Sequence, residues 1–126
     1  MSLWGIILIV VLVMSATMIG FGLYFTFAGP KRINYIFGYR TPMSMKNMDT
    51  WRFGNSYAGR CMWCTGVVLL VGSLITLFAV MSSEESTIQT AGIIIIIAHA
   101  IMIFGSVIST EIALRRHFDH QGNRRV

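Results

Sequence analysis

The fold of this chain is decided by charge-free stretches such as CMWCTGVVLLVGSLITLFAVMSS, residues 61–83. Two further stretches, residues 2–30 and 86–110, also lack Asp, Glu, Lys and Arg. A helix needs about 20 apolar residues to cross roughly 30 Å of hydrocarbon, and each stretch is long enough. The sequence therefore predicts an all-α membrane protein, with three transmembrane helices in a single domain of residues 1–126.

The composition of the 126 residues supports this prediction. Hydrophobic residues make up 55% of the chain and charged residues only 12%, about half the charged fraction of a soluble domain. The formal net charge of +5 is better explained by membrane topology than by a nucleic-acid partner. Two Cys residues are too few for a disulfide framework or a zinc site. We expect no nucleic acid, no metal and no cofactor.

We place the spans at about residues 4–27, 61–81 and 90–110, the loop between the first two at 31–60, and the tail at 111–126. The first span is too long for the apolar part of a signal peptide and has no basic segment before it, so we expect it to be retained. Small residues at a spacing of four would let helices approach closely. These pairs are Ala16 with Gly20 and Gly105 with Ser109.

The basic residues predict the orientation. All ten lie in the 31–60 loop or in the tail, whereas the segment between the second and third spans carries Glu84 and Glu85. Short loops rich in Lys and Arg stay in the cytoplasm. The N-terminus is therefore predicted outside, and the 31–60 loop and the C-terminus inside.

The 31–60 loop is predicted to be ordered and partly helical. Ser44 suits the N-cap of a helix over residues 44–59. Four residues of that helix share one face, with Lys46, Asp49 and Arg52 away from it. The four are Asn47, Trp51, Asn55 and Gly59. Two interpretations stay open: an interfacial helix with Trp51 and Met48 among lipid headgroups, or an ordered polar cluster.

Several residues of the loop and the tail form a recognisable pattern. In the loop they are Asn34, the block Gly38-Tyr39-Arg40-Thr41, Ser44, Trp51, Asn55 and Gly59; in the tail they are Thr110-Glu111, Leu114, Phe118-Asp119 and Gly122. This pattern resembles the SdpI family of bacterial integral membrane proteins. The resemblance favours the polar cluster and implies a multi-pass protein of the bacterial plasma (inner) membrane.

The resemblance also implies a function. The family's namesake is an immunity protein that protects a toxin-producing bacterium from its own secreted peptide and sequesters a cytoplasmic repressor. We therefore expect a membrane immunity or resistance protein that binds or neutralises a membrane-active peptide toxin. Membrane lipids, a cytoplasmic regulator and a homo-oligomer are the partners to consider. The chain has no nucleophile motif or phosphate loop, and we expect no enzyme.

His99 supports an alternative function, because it lies near the middle of the third charge-free stretch. Ionisable groups at that depth are functional hypotheses by default. The alternative is an oligomeric transporter or pore with His99 lining the pathway. Since no span contains Asp or Glu, we favour a neutral His99 bonded to a hydroxyl at the same depth. The hydroxyls available are those of Ser73, Ser15 and Thr17.

Arg40 and Glu111 are predicted near the same membrane interface. Arg40 can reach a lipid phosphate, or it can bind a carboxylate or phosphate with Asn34 and Asn55 as neutral partners. We expect it to pair with Glu111 and so dock the loop against the tail. The alternative partner of Glu111 is Arg115, one helical turn away.

Cys61 and Cys64 lack the context of a redox motif and are expected to be small unpaired hydrophobes.

Overall fold

The computed structural model describes residues 2–125 and is helical, with no strand in that part of the chain beyond one isolated bridge between Phe118 and Arg124. It contains α1 (Leu3–Phe27), α2 (Met48–Ala79) and α3 (Glu85–His117). Each helix is long and apolar enough to cross a membrane. The predicted all-α class and the three candidate spans are therefore confirmed.

α1 begins and ends at residues whose chemistry suits those positions. The Ser2 hydroxyl accepts a hydrogen bond from the Gly5 amide at 3.1 Å, which caps the first turn. At the other end Gly29 adopts a φ of 68°, in the left-handed region that glycine tolerates. Pro30 follows and cannot continue the helix.

α2 differs from the prediction in two ways. Its N-cap is Asn47 and not Ser44, because Asn47 and Thr50 bond each other's backbone amides in a capping box. In addition, the predicted loop helix and second span are one uninterrupted helix of 32 residues. Arg60 lies inside this helix, since a charge marks where the apolar environment ends and does not break backbone hydrogen bonds.

α3 extends beyond the predicted span at both ends and contains 33 residues. Its last turn carries Arg115, Arg116 and His117. Positive side chains are favourable there because unpaired carbonyl groups make the C-terminus of a helix negative.

The three helices run up, down and up. The Trp4 indole donates to the carbonyl oxygen of Leu77 at 2.6 Å, which joins the start of α1 to the end of α2. At the opposite end, the α1–α2 loop (28–47), the first turns of α2 (48–60) and the end of the chain (110–125) pack together. We call this assembly the head. All ten basic residues lie in the head, and Glu84 and Glu85 lie at the other end.

α1 and α2 approach each other closely at two glycines, Gly22 and Gly59. A Cβ atom on Gly59 would lie 2.7 Å from the Gly22 carbonyl oxygen and 2.7 Å from the Thr26 amide nitrogen. The expected small-residue pairs do not make such contacts within the chain, because a Cβ atom on Gly20 or Gly105 would meet nothing within 4 Å. Both glycines are exposed, so these pairs do not bring the helices of one chain together, and contact with a second copy stays a prediction.

Candidate functional site

Trp51 is the central side chain of the head and is fully buried. Its indole nitrogen donates to the carbonyl oxygen of Pro30 at 2.8 Å, which fixes the end of α1 against the start of α2. The interpretation that Trp51 inserts among lipid headgroups is therefore wrong. Its burial is explained by its place on the face of α2 that the loop covers.

Asn55, one turn further along α2, is 2% exposed and holds the loop through its amide. Its Oδ1 accepts from the Tyr39 amide at 2.7 Å, and its Nδ2 donates to the Trp51 carbonyl oxygen at 2.9 Å. Gly38 precedes this contact with a φ of 113°. A Cβ atom there would lie 2.8 Å from Asn55 Oδ1 and 2.9 Å from Pro30 Cγ. Only glycine suits both the conformation and the space.

Ser44 connects the loop to the start of α2. Its hydroxyl accepts from the Thr41 amide at 3.0 Å and lies 3.0 Å from the Tyr39 carbonyl oxygen, to which it can donate. The Thr50 hydroxyl donates to the Ser44 carbonyl oxygen at 3.0 Å. Ser44 thus stabilises the turn before α2, although it is not the cap.

Asn34 shapes the outer part of the loop. Its Oδ1 accepts from the amides of Ile36 at 3.0 Å and Phe37 at 2.7 Å, as in an Asx turn. The turn leaves Tyr35 and Ile36 exposed at 85% and 87%. Asn34 therefore stabilises the turn to which it belongs and, within the described residues, makes no hydrogen bond to Asn55.

Tyr39, and not Arg40, is the partner of Glu111. The phenol donates to Glu111 Oε1 at 2.7 Å, whereas the exposed Arg40 guanidinium donates to the Tyr35 carbonyl oxygen. Burial, followed by the neighbouring Glu111 carboxylate, raises the pKa of Tyr39 above its usual range. The predicted Arg40–Glu111 pair is wrong because the turn at Gly38 directs Tyr39, and not Arg40, toward α3.

The tail completes the head. The Asn47 side chain donates from Nδ2 to the Gly122 carbonyl oxygen at 2.7 Å, and the buried Phe118 ring packs edge-on against Phe53 at 5.5 Å between centroids. Backbone amides, that of Asn123 first, lower the pKa of the Asp119 carboxyl group. The roles of Asn47 and Thr50 were missed in the sequence, although an Asn with a Thr three residues later is a weak capping signal.

His99 is fully buried between α1 and α3. Its Nδ1 lies 2.9 Å from the Ile95 carbonyl oxygen, which can only accept, so Nδ1 carries a proton. Nε2 lies 3.1 Å from the Ser15 hydroxyl. Ser15 is thus the hydroxyl partner among the three expected, while Thr17 bonds the backbone of Val13. Ser73 is buried on α2 and is not hydrogen-bonded to His99 within residues 2–125.

The chemistry of the head is that of a scaffold. The hydrogen bonds of the loop turns, of the Asn55 side chain and of the helix cap all run between residues of the head. Gly59 permits the close α1–α2 contact. Arg40 is the member of the predicted cluster that remains exposed at the surface. Among the residues that the structure describes, no group of three or more His, Cys, Asp or Glu side chains could hold a metal ion.

Comparison with known proteins identifies the family. Residues 31–110 match the model of the SdpI/YfhL protein family, which confirms the resemblance seen in the loop. The matched region contains most of the head, all of α2 and most of α3. No curated protein and no solved structure is similar enough to the chain to count as a match.

Proposed function

The chain belongs to the SdpI/YfhL family of membrane proteins, and from this premise we propose that it is an immunity or resistance protein against a membrane-active peptide toxin. The observation that carries the proposal is the self-contained head. Its motif side chains bond the loop, α2 and α3 to one another. They therefore stabilise a rigid platform, and the outer surfaces of the helices and the head are left for a partner.

The orientation is part of the proposal. We place the head in the cytoplasm, because all ten basic residues lie at that end. Glu84 and Glu85 then lie outside, where a secreted peptide arrives. A toxin that reaches the membrane would contact the outer helix ends or the lipid-facing helix surfaces before it reached the head.

A signalling role through the head is the second part of the proposal. The exposed head surface carries positive side chains, among them Arg40, Lys46 and Arg52. A cytoplasmic regulator with an acidic surface is the partner that such a surface would attract. Because Trp51 and Asn55 of α2 bond the loop at Pro30 and Tyr39, movement of α2 would change the position of this surface.

The alternative, a pore or transporter lined by His99, receives less support from the geometry. The His99 side chain is fully buried within one chain, and both ring nitrogens have partners there. A side chain that lines a pathway must contact the permeating solute or water. His99 instead joins α1 to α3.

Expression in a toxin-sensitive bacterial strain tests the proposal against the alternative. The wild-type chain should allow growth in a peptide toxin while ion and solute flux stay at the level of cells carrying an empty vector. Flux without protection would favour the pore. Absence of both, with the protein present in the membrane fraction, would refute the immunity function for the toxin used.

A matched pair of variants shows whether any protection depends on the head. Asn55→Ala should reduce protection, whereas Arg52→Ala, three residues away on the exposed side of α2, should leave it unchanged. Protein levels in the membrane fraction must be compared for both variants, because loss of the head contacts also lowers stability.

A further inference from the structure

We propose that an open groove between α2 and α3, next to the head, binds an anionic phospholipid of the surrounding bilayer. The groove has a volume of about 520 Å³, which is typical of small-molecule sites. The residues on which the argument rests are Tyr57, Arg60 and Thr65 of α2 and Gly105, Ser106 and Ser109 of α3. The inference concerns lipid binding and is independent of the immunity function.

The interior of the groove suits an acyl chain. The hydroxyl of Thr65 donates to the Cys61 carbonyl oxygen at 2.6 Å, and that of Ser106 donates to the Met102 carbonyl oxygen at 2.9 Å. Each hydroxyl therefore donates its hydrogen bond within its own helix, and the two side chains present carbon atoms to the groove. At Gly105 a Cβ atom would meet nothing within 4 Å, so this glycine leaves room for a ligand.

The end of the groove nearest the head suits a phosphate group. Arg60 is exposed and is the last basic residue before the charge-free stretch 61–83. On the opposite wall Ser109 lies at the end of the charge-free stretch 86–110. The two residues therefore mark the depth at which hydrocarbon gives way to headgroups. A guanidinium group there can bind a phosphate through two parallel hydrogen bonds.

Charge complementarity selects the occupant. No Asp or Glu is among the described residues that line the groove, and Arg60 is the one charged residue of that lining. A ligand with an apolar chain and a negative group at the interface matches this arrangement. An anionic phospholipid has both parts and is already in the membrane, whereas the carboxylate that a second copy has near this depth, Glu111, is bonded to Tyr39 of its own chain.

The test measures lipid retained by the full chain in detergent, by native mass spectrometry. Phosphatidylglycerol and phosphatidylcholine with identical acyl chains are compared at equal concentration. We expect about tenfold stronger retention of phosphatidylglycerol, because both lipids offer a phosphate to Arg60 but the choline cation of phosphatidylcholine cancels its net negative charge. Arg60→Gln should abolish this preference, and Gly105→Leu should weaken retention of both lipids. Equal retention of the two lipids by the wild-type chain would overturn the proposal.

Matched controls separate the groove from general effects. Arg52→Gln removes another exposed charge of α2, and Gly72→Leu enlarges another glycine with open space around it. Both should retain lipid like the wild-type chain, and a loss equal to that of the groove variants would refute the site. Inorganic phosphate should not raise the unfolding temperature as phosphatidylglycerol does; an equal rise would refute binding of a lipid.

The exposed Cys64 at the groove reports on a second copy. In a Cys61→Ser background, mild oxidation in lipid vesicles should leave the chain monomeric on a non-reducing gel. Efficient formation of a disulfide-linked dimer would show that another chain occupies the groove and would overturn lipid binding there.

Discussion

The hydroxyl of Tyr39 donates a hydrogen bond of 2.7 Å to Oε1 of Glu111, which lies 72 residues further along the chain. This bond joins the α1–α2 loop to α3 through a neutral donor and a carboxylate. Such a pair depends on the phenol keeping its proton. The contact that docks the loop on α3 is therefore sensitive to alkaline pH and not to the charge of Arg40.

The first prediction concerns this alkaline sensitivity. Because the folded pKa of Tyr39 is raised, the stability that it contributes is fully present below the unfolded value of about 10 and is lost as the pH rises above it. The unfolding temperature in detergent should therefore fall from about pH 10 to about pH 11.5 more steeply in the wild-type chain than in Tyr39→Phe. Tyr35→Phe, at an exposed position, is the control. Parallel slopes for wild type and Tyr39→Phe would contradict the assignment.

The second prediction compares buried and exposed residues of α2. Trp51→Ala should cost about 3–5 kcal/mol because it empties the centre of the head. Asn55→Ala should cost about 1–3 kcal/mol because the partly buried Tyr39 amide loses its acceptor. Lys46→Ala and Arg52→Ala should stay within about 0.5 kcal/mol of wild type. Chemical denaturation in detergent measures all four, and similar losses throughout would show that the head is not packed.

The third prediction concerns the α1–α2 contact. Gly59→Ala should destabilise the protein by about 1–3 kcal/mol, because the new methyl group would overlap the backbone of α1. Gly72→Ala, in the same helix but with nothing within 4 Å, should be neutral or slightly stabilising. Thermal unfolding of the two variants side by side provides the measurement. A neutral Gly59→Ala would mean that the helices are further apart.

The fourth prediction tests whether His99 is structural. Ser15→Ala removes the partner of His99 Nε2 and should cost about 1 kcal/mol. Thr17→Ala, two residues along α1 at an exposed position, should have little effect. Flux through reconstituted vesicles should be unchanged by His99→Gln. A flux that depends on His99 would restore the pore hypothesis.

The fifth prediction concerns orientation. In a background with Cys61 and Cys64 replaced by Ser, a cysteine at position 83 should react with an impermeant thiol reagent in intact cells. A cysteine at position 121 should react only after permeabilisation, because we place the head in the cytoplasm. The reverse pattern would exclude the proposed orientation.

The spans and the buried face of the head could be predicted because both depend on local spacing. Charge-free length identifies a helix that can cross a membrane, and four-residue spacing places Trp51, Asn55 and Gly59 together whatever the surroundings. The start of α2 was harder to predict. Ser44 and Asn47 are equally suitable caps, and the choice depends on Thr50 returning a hydrogen bond to Asn47.

Other features depend on tertiary geometry that a pattern cannot supply. Gly20 and Gly22 are two residues apart and so lie on nearly opposite faces of α1. Which of them contacts α2 depends on how the helix is rotated, and the structure selects Gly22. Likewise, the turn at Gly38 decides that Tyr39 and not Arg40 faces Glu111, although charge alone favours Arg40.

The uninterrupted course of α2 has a mechanical consequence. Its 32 residues extend about 48 Å at about 1.5 Å per residue, well beyond the roughly 30 Å hydrocarbon core. No hinge separates the part that crosses the bilayer from the part to which Trp51 and Asn55 belong. When α2 tilts to match a thinner or thicker membrane, the end of the helix that lies in the head must move with it. We therefore expect the position of the head relative to the membrane surface to change with the thickness of the bilayer.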